Sequence, residues 1–380
     1  MKTQQYHFVN NEMKNIFTAP GFDPVQAQLV LIFGEPSLIT DASFFNNING
    51  LFPQALIVSS STAGEIMNDD VFDDSVVITA IEFEKTTLKY SVARAEQFGD
   101  SYATGEYLMK QLQADDLVTV FVLADGTRFN GSEMAEGFNN NNPLHVPVTG
   151  GLAGDGTRFL QTFVGAGALP EQGVAAAIGF YGNNLTVGHG SFGGWDEFGP
   201  EKTITRSERN IVYEIDGKNA VDLYNEYLGH VKDELPLNAL LFPLAVKRAG
   251  SDQDVIRTIL HMDENAKTMQ VGGNLEVGST VRFMKANFDR LIEGSSMAAK
   301  SAFTKFAERE PQLAILISCV GRKLILQKRS DEEVLAAKEI IGNTVPLAGF
   351  YSYGEFSPLN ASTQCELHNQ TMTITTFSES

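Results

Sequence analysis

Three acidic residues, Glu65, Asp155 and Glu355, each follow a glycine directly at the end of an apolar stretch of the sequence. A glycine at a strand end allows the chain to take a positive φ or to pass close to another group. The carboxylate that follows can accept hydrogen bonds from its own turn, or it can point into a cleft at the strand ends. In a cleft, such carboxylates could bind the ammonium group of a small ligand, and three of them could line one crevice. The sequence leaves both interpretations open.

The sequence around these acids repeats three times. Each copy opens with a continuous apolar run, and these runs are LVLIFGEP at 29–36, LVTVFVLADG at 117–126 and LAILISCVGR at 313–322. Unalternated runs of this kind are typical of strands that are buried on both faces of a sheet. A segment of helical or mixed character follows, then a second apolar strand that ends at the glycine and acid, and then a closing strand. The nearly equal spacing predicts one β-α-β-β unit used three times.

The chain between the second and third copies has a different pattern. Residues 202–229 predict a strand, a turn at Asp216–Gly217 and a helix that ends at Gly229. Residues 255–284 predict a meander of three strands, and residues 286–309 predict a long amphipathic helix. This part of the chain therefore lies outside the repeated units.

These elements define the expected fold class. They predict an α/β protein of mixed α+β type, in which mixed sheets are flanked by helices and are built from the repeated unit. The change of pattern after the second copy predicts a domain boundary near residues 215–220, where no linker rich in Pro, Gly and Ser is found. We therefore expect two packed domains, at 25–215 and 216–375. Whether they share a continuous sheet does not follow from the sequence.

The composition disfavours several partners. The 380 residues include 28 basic and 47 acidic side chains, which gives a net charge of −19. This charge repels phosphate backbones and anionic lipid, so we expect binding neither to nucleic acid nor to a membrane. No apolar run reaches the roughly 18–20 residues that a membrane helix needs, and the first residues lack the apolar core of a signal peptide. We expect a cytoplasmic protein with two reduced cysteines, Cys319 and Cys365, although a single disulfide stays open.

Motifs of common enzymes are missing from the sequence. There is no GxxxxGK[ST] phosphate loop, no GxGxxG after a strand, no HExxH and no GxSxG. No acid–base pair, nucleophile or metal cluster stands out, so we expect no enzymatic activity. A basic stretch, GRKLILQKRS at 321–330, predicts a strand or hairpin with solvated ends and an ordinary basic surface rather than a docking patch.

Five segments, spread over almost the whole chain and in the right order, resemble the FIST family. They are SSSTAGEI at 59–66, VTGGLAGDG at 148–156, IDGKNAVDLYNEYLG at 215–229, VPLAGFYSYGEFSP at 345–358 and LHNQTMTITTF at 367–377. The resemblance implies an N-terminal FIST domain at 25–215 followed by a C-terminal FIST domain at 216–375.

The resemblance also implies a function. FIST domains are sensory modules of intracellular signalling, proposed to bind small ligands such as amino acids, and they are often fused to or encoded beside histidine kinases. Two FIST domains fill this chain, and free-standing bacterial members of this size are similar to haem proteins that sense nitric oxide. The resemblance therefore implies haem b as a cofactor, nitric oxide as the signal and a partner histidine kinase, and it leaves a homo-oligomer open.

A haem that is not attached through a CxxCH motif needs an axial ligand such as a neutral imidazole. Among the six histidines, His189 is the first candidate for the iron ligand. It lies between Gly188 and Gly190, which would leave its imidazole open. Phe192 and Trp195 follow it, and these aromatic rings could cover a flat ligand. The alternative is a strand-end histidine that is hydrogen-bonded beside a glycine bend.

Two other histidines are weaker candidates for the haem site. His261 precedes Met262 on a predicted strand of the meander, where alternation would place one of the two inside. His368 lies in the LHNQT segment, which the resemblance assigns to FIST domains in general, and Cys365 is a thiolate candidate of lower rank. Structural roles are expected for the remaining histidines, His7, His145 and His230.

A second hypothesis needs no metal. In it, the chain is a small-molecule binding module whose glycine–acid pairs and LHNQT segment form a polar pocket. Glu65, Asp155 or Glu355 would bind the ammonium group of an amino-acid-like ligand, and Asn369 would be a further polar contact. A haem protein is coloured and a metal-free sensor is not, so an absorption spectrum separates the two hypotheses.

Overall fold

The computed structural model describes residues 1–228, 237–248, 253–306, 310–359 and 364–380. The first strands in chain order are β1 (Lys2–Val9), β2 (Glu12–Thr18), β3 (Leu29–Gly34), β4 (Leu56–Ser61), β5 (Glu65–Met67), β6 (Asp70–Phe72), β7 (Val76–Glu82), β8 (Thr87–Arg94), β9 (Leu117–Ala124), β10 (Val148–Leu152), β11 (Val164–Ala166), β12 (Val174–Tyr181) and β13 (Leu185–Phe192). The strands that follow are β14 (Asp196–Glu208), β15 (Ile211–Ile215), β16 (Lys218–Asn219), β17 (Leu244–Lys247), β18 (Asp254–Arg257), β19 (Ile259–Asp263), β20 (Thr268–Val271), β21 (Thr280–Lys285), β22 (Leu313–Cys319), β23 (Leu347–Ser352), β24 (Gly354–Pro358), β25 (Cys365–His368) and β26 (Met372–Glu379). The α-helices are α1 (Pro36–Ile39), α2 (Ala42–Leu51), α3 (Ser101–Leu112), α4 (Gly131–Asn140), α5 (Ala220–Leu228), α6 (Leu237–Leu240), α7 (Phe288–Phe303), α8 (Val320–Leu326) and α9 (Ser330–Ile341).

The described strands pair into four sheets. Three of these have six strands, in the orders β11-β4-β3-β7-β1-β2, β25-β24-β10-β9-β12-β8 and β13-β26-β22-β23-β5-β6. The fourth follows the order β18-β17-β21-β14-β15-β20-β19, with β16 paired to β15. Parallel and antiparallel neighbours occur together in each of the three six-stranded sheets. The expected mixed α+β class, with helices flanking mixed sheets, is confirmed.

The predicted β-α-β-β unit occurs three times. In each copy two parallel strands are joined through helix, and the closing strand lies antiparallel on the other side of the first strand. The copies are β4-β3-β7, β10-β9-β12 and β23-β22-β26. The first strand of each copy is almost completely buried, because it has a strand on both sides and packed side chains on both faces.

Polar side chains begin the connecting helices. The carboxylate of Asp41 accepts a hydrogen bond of 2.7 Å from the backbone N–H of Phe44 and caps α2. Asn130 caps α4 in the same way through the N–H of Ser132, at 3.0 Å. Asn287 caps α7 through the N–H of Arg290. Each cap satisfies an amide that has no partner inside the helix, and each fixes the residue at which the chain turns from strand to helix.

The glycine–acid pairs mark the points at which the chain leaves one sheet for another. After Gly64, β5 and β6 join the sheet of the third copy, where β5 pairs with β23. After Asp155, β11 joins the sheet of the first copy and pairs with β4. From Gly354, β24 and β25 join the sheet of the second copy, where β24 pairs with β10. The three copies therefore exchange strands in a closed cycle, which explains why the same corner is used three times.

One apolar core lies between the three six-stranded sheets and draws on all three copies. It includes Phe33 of β3, Phe121 of β9, and Ile317 and Phe350 of the third copy. The rings of Phe33 and Phe350 are 4.8 Å apart between centroids. Because two of the sheets also combine strands from both halves of the chain, the halves share continuous sheets. The predicted limits of the two domains, 25–215 and 216–375, stay predictions.

Some predicted elements differ from the structure. The meander expected at 255–284 contains four strands, β18 to β21, rather than three. The stretch at 321–330, predicted as a strand or hairpin, is helical in α8, and its Arg322 is buried. The expected helix at 286–309 corresponds to α7. Cys319 and Cys365 are buried free thiols. Across the described ranges, none of the helices has the length and apolar character needed to cross a bilayer.

Candidate functional site

Two cavities lie near the predicted site residues. The first, called the corner cavity, has a volume of about 620 Å³ and lies where the chain leaves the first sheet. Its walls include Glu35, Gly64, Glu65, Asp73, Arg158 and Lys323. The second, called the His368 cavity, has a volume of about 580 Å³. Its walls include Phe192, Trp195, Ile256, Met284, Met297 and His368. Both volumes are in the range of small-ligand sites.

Glu65 lies in the wall of the corner cavity, but its carboxyl group serves the turn. It accepts hydrogen bonds from the hydroxyls of Thr62, at 2.5 Å, and Ser75, at 2.8 Å. Burial raises the pKa of Glu65 to about 8. At neutral pH the group is therefore mainly protonated, which makes it a poor partner for an ammonium ion.

Asp155 organises the loop that follows it. Its carboxylate accepts hydrogen bonds from the backbone N–H groups of Phe159, Leu160 and Gln161, at 2.8–3.0 Å. The hydroxyl of Tyr353 also donates to it, and the Tyr353 ring stacks on Phe159. The carboxylate is thus used inside the protein, and the residues after it, among them Arg158, reach the corner cavity.

Glu355 has the same role at the third corner. It is fully buried and accepts hydrogen bonds from the hydroxyls of Ser352, at 2.8 Å, and Thr371, at 2.7 Å. Burial raises the pKa of Glu355 to about 8. Of the three acids, Glu65 alone is among the residues that form the two cavities, so neither cavity brings all three together. The alternative interpretation, in which each acid fixes its own turn, agrees with these contacts.

Two ion pairs give the corner cavity its charge. The Arg158 Nη2 atom lies 2.9 Å from Glu35 Oε2, and the Lys323 ammonium group is paired with the Asp73 carboxylate. The Lys323 ammonium group also donates a hydrogen bond of 3.0 Å to the carbonyl of Ala63. Gly64 provides the space for it, since a Cβ at position 64, where φ is +129°, would lie 2.1 Å from the Lys323 nitrogen. The cavity therefore presents both signs of charge.

The His368 cavity brings together three residues of the predicted haem site, namely Phe192, Trp195 and His368. They come from β13, the linker after it and β25, and α7 closes another side of the cavity with Met297. The indole N–H of Trp195 donates a hydrogen bond of 2.9 Å to the backbone carbonyl of Gln370. This bond fixes the ring at the turn that directly follows His368.

The His368 imidazole is held in its neutral form and is bonded through one ring nitrogen. Its Nε2 lies 3.0 Å from the backbone carbonyl oxygen of Ser357. Because a carbonyl oxygen only accepts hydrogen bonds, Nε2 must carry the proton, and Nδ1 has a lone pair. Burial lowers the pKa of His368 to about 4, so the ring is neutral at physiological pH. Histidines that bind metals commonly donate their other N–H to a carbonyl in this way.

His189 lies elsewhere. It is buried on β13, opposite Thr375 of β26, and it is not among the residues that form the His368 cavity. Burial lowers its pKa to about 4. The sequence predicts that Gly188 and Gly190 leave space for a flat ligand beside the imidazole. In the structure the backbone of α7 fills this space. A Cβ at Gly188 or Gly190 would lie 1.9 or 2.1 Å from a carbonyl oxygen of α7, so both glycines let that helix pack on the sheet.

The remaining predicted residues are distributed around the fold. His261 is exposed on β19, opposite Gln270. Asn369 is buried behind His368, where its side chain donates to the His368 carbonyl at 3.0 Å and accepts from the N–H of Thr258. His7 is buried in β1 and packs on Phe72. His145 lies in a loop with φ of 52°. His230 lies outside the described residues.

A fully buried ion pair between Arg322 and Glu333 was not predicted. The Arg322 guanidinium donates to one Glu333 oxygen through Nε, at 2.9 Å, and Nη2, at 2.7 Å. Glu333 also accepts from the hydroxyls of Ser318, at 3.1 Å, and Tyr351, at 2.7 Å. The sequence did contain a signal for the helix that carries Arg322. Val320, Lys323 and Leu324 have helical spacing and share one face of α8.

The fold and the two cavities define an α+β protein with ligand-sized pockets, and comparison with protein families gives its membership. The FIST N domain matches residues 28–218 and the FIST C domain matches residues 220–358. Together they cover most of the chain, which therefore belongs to the FIST family. FIST domains are sensory domains of signal transduction that are thought to bind small ligands. No match was found among curated proteins.

Proposed function

We propose that this FIST-family chain is a non-enzymatic cytoplasmic sensor that binds haem b in the His368 cavity and reports nitric oxide to a partner histidine kinase. One observation carries the proposal: His368 lies in the wall of one cavity of about 580 Å³ together with Phe192 and Trp195. The resemblance to free-standing haem-binding members of the family motivates the choice of haem, and the kinase follows from the signalling role of FIST domains.

The residues of this cavity fit a haem. His368 offers a neutral imidazole whose Nε2–H is held by a carbonyl, and Trp195, Ile256 and Met284 give apolar walls. Arg290, an exposed wall residue whose guanidinium lies 2.7 Å from the Asp196 carboxylate, could exchange this partner for an acidic group of the ligand. A bound haem would supply a ferrous iron that binds nitric oxide. The proposal assigns the iron to His368 in place of His189.

The chain's own residues would connect the cavity to the rest of the protein. The Ser357 carbonyl orients the His368 ring, and Thr371, three residues further on, also contributes to the cavity wall. Thr371 donates through its hydroxyl to the buried Glu355 of the third corner. A displacement of His368 would therefore act on β24, which pairs with β10 of the second copy, and on β26, which pairs with β13.

An absorption spectrum tests this proposal. The purified protein, supplied with haemin, is expected to show a Soret band that shifts on reduction and again on addition of nitric oxide. His368→Ala should lose this band or shift it strongly, and added imidazole should restore it. His189→Ala is the matched control, since it removes another buried histidine, and it should keep the wild-type spectrum.

Other results would overturn the proposal. If wild type takes up no haemin, haem binding fails altogether. If His368→Ala folds, as judged by circular dichroism, and keeps the wild-type band, then His368 is not the ligand. Loss of the band in His189→Ala alone would return the role of axial ligand to His189.

A second candidate function is a metal-free sensor of an amino-acid-like ligand. The two ion pairs of the corner cavity favour it, since a zwitterion could bind Arg158 or Lys323 through its carboxylate. Its ammonium group would bind Glu35 or Asp73 rather than the protonated Glu65. A thermal-shift screen of amino acids tests it: a stabilising hit that Arg158→Ala abolishes would support it, and no hit would reject it.

A further inference from the structure

Helix α8 lies between the two cavities. One of its faces carries Val320, Lys323 and Leu324, which contribute to the wall of the corner cavity. The opposite face carries Ile325 and Leu326, which belong to the apolar cluster that contains Trp195 of the His368 cavity. The i, i+3 and i+4 spacing of a helix produces this division. A helix of 7 residues, nearly two turns, therefore lines one cavity and packs beside the wall of the other.

Arg322 connects α8 to the wall of the His368 cavity. Its guanidinium donates to the carbonyl of Gly193, at 2.5 Å, and to that of Leu291, at 2.6 Å. Gly193 contributes to the cavity wall and lies two residues before Trp195. The Gln370 carbonyl that accepts from Trp195 is also 3.5 Å from Arg322 Nη1. Movement of α8 would therefore displace the groups that hold Trp195.

Lys323, the next residue, fixes α8 on the side of the corner cavity. Its ammonium group is paired with Asp73, donates to the Ala63 carbonyl and lies 5.4 Å from the centre of the Tyr351 ring. The Tyr351 hydroxyl donates to Glu333, the partner of Arg322. The contacts of Lys323 and Arg322 are thus linked both through the helix and through the Tyr351–Glu333 pair.

We propose that α8 couples the two cavities, so that whatever breaks the Lys323–Asp73 ion pair rearranges the wall around Trp195. A bound carboxylate or phosphate group, competing with Asp73 for Lys323, is the kind of ligand that would do so in the cell. The coupling rests on contacts of the chain itself, and it is independent of whether the His368 cavity holds haem. Linkage makes it reciprocal: a ligand in either cavity changes the affinity of the other.

The single tryptophan of the chain provides the test, because its emission reports on the His368 cavity without any ligand. Lys323→Met should shift the Trp195 emission to longer wavelength and increase its quenching by acrylamide. Asp73→Asn, which breaks the same pair from the other side, should act in the same direction. Lys323→Arg keeps the charge and should stay close to wild type.

Lys338→Met is the matched control. Like Lys323, Lys338 forms an ion pair near the β5–β6 hairpin, and its ammonium nitrogen lies 3.2 Å from the Asp69 carboxylate. Unlike Lys323, it lies on α9 and is not among the residues that form the two cavities. It should leave the emission unchanged. Wild-type emission and quenching in both Lys323→Met and Asp73→Asn would overturn the proposal, as would an equal change in Lys338→Met.

A second measurement separates this proposal from that of haem binding. If the protein takes up haemin, Lys323→Met should change the rate of haemin loss by about fivefold, within the usual range of coupling between sites. If it takes up none, the haem proposal fails and the fluorescence result alone decides on the coupling. An unchanged rate of haemin loss together with unchanged emission would reject the coupling and leave haem binding standing.

Discussion

The corner cavity and the His368 cavity have nearly the same volume, about 620 and 580 Å³, but they differ in how they hold charge. The ion pairs of the corner cavity reach solvent, since the Arg158 side chain is 46% exposed and that of Asp73 is 67% exposed. Behind the His368 cavity, the Arg322–Glu333 pair is 0% exposed on both sides. A ligand could therefore exchange its charges with the first set, whereas the second set is closed to solvent and to a ligand.

Buried titratable groups in the walls of the two cavities behave alike. The buried carboxyl group of Glu65, beside the corner cavity, has its pKa raised to about 8 by burial. The buried imidazole of His368 has its pKa lowered to about 4 by burial. Burial favours the neutral form in both cases. Each cavity thus contains one neutral buried group, and the charged groups around the first cavity lie at its surface.

The largest expected effect on stability comes from breaking the buried Arg322–Glu333 ion pair. Glu333→Ala leaves the Arg322 guanidinium buried without its carboxylate, so we expect a loss of roughly 3–5 kcal/mol in the free energy of unfolding. Glu332→Ala is the control at the neighbouring position of α9, where the carboxylate is half exposed and paired with Arg329, and it should unfold at nearly the same urea concentration as wild type. Urea unfolding of the two variants measures both. Similar losses in the two would contradict the larger structural contribution of the buried pair.

A second prediction concerns pH. The unfolded chain releases the Glu65 proton near the ordinary pKa of 4.5, whereas the folded chain keeps it to about pH 8. At Glu65 the folded state binds more protons in this window, so the stability that this group contributes is lost as pH rises from about 4.5 to about 8. Glu65→Gln, which cannot ionise, should flatten this part of the profile, leaving the contribution of Glu355. Melting temperatures from pH 5 to 8 provide the measurement, and parallel profiles for variant and wild type would contradict it.

The titration of His368 should make the protein less stable as pH decreases, which is opposite in sign to the effect of Glu65. Its folded pKa of about 4 lies below the ordinary value of 6.5, so the unfolded state binds the proton first and stability falls as pH drops through this range. The two windows overlap between about pH 4.5 and 6.5, so the effect of Glu65→Gln is read most cleanly between pH 6.5 and 8, above the ordinary pKa of histidine. His368→Ala should leave the profile in that upper range unchanged, and a changed slope there would contradict the assignment of this range to the buried carboxyl groups.

The smallest expected effect is on the exposed rim of the corner cavity. Arg158→Ala removes the pair with Glu35, and because both groups contact solvent the free energy of unfolding should change by only about 0–1 kcal/mol. Thermal unfolding measures this change. A loss well above 1 kcal/mol would show that the rim is a structural element, and it would remove the contrast between the two cavities.

The repeated unit could be predicted because each first strand is buried on both faces and is therefore apolar throughout. The exchange of strands could not, since β5, β11 and β24 pair with strands of other copies and nothing local in their sequences specifies those partners. The same limit applies to the site. Phe192 and Trp195 were linked to His189 by proximity in sequence, whereas the structure places His368, more than 170 residues away, beside them.

The glycines beside His189 show a different limit. Glycine in a strand signals a close approach of another group, but the sequence does not say which group approaches. Here the backbone of α7 occupies the space at Gly188 and Gly190. The stretch at 321–330 was misjudged because its four basic residues suggested a solvated surface, while Arg322 is in fact neutralised by Glu333 inside the protein.

The exchange of strands also makes each half of the chain depend on strands of the other half. If the segment that matches the N-terminal family domain were made alone, β10 would lose β24, β5 would lose β23 and β13 would lose β26. Three strand edges would then be free to pair with other molecules. We therefore expect one half, grafted alone onto another protein, to aggregate through these edges. The pairing favours the transfer of both family segments together.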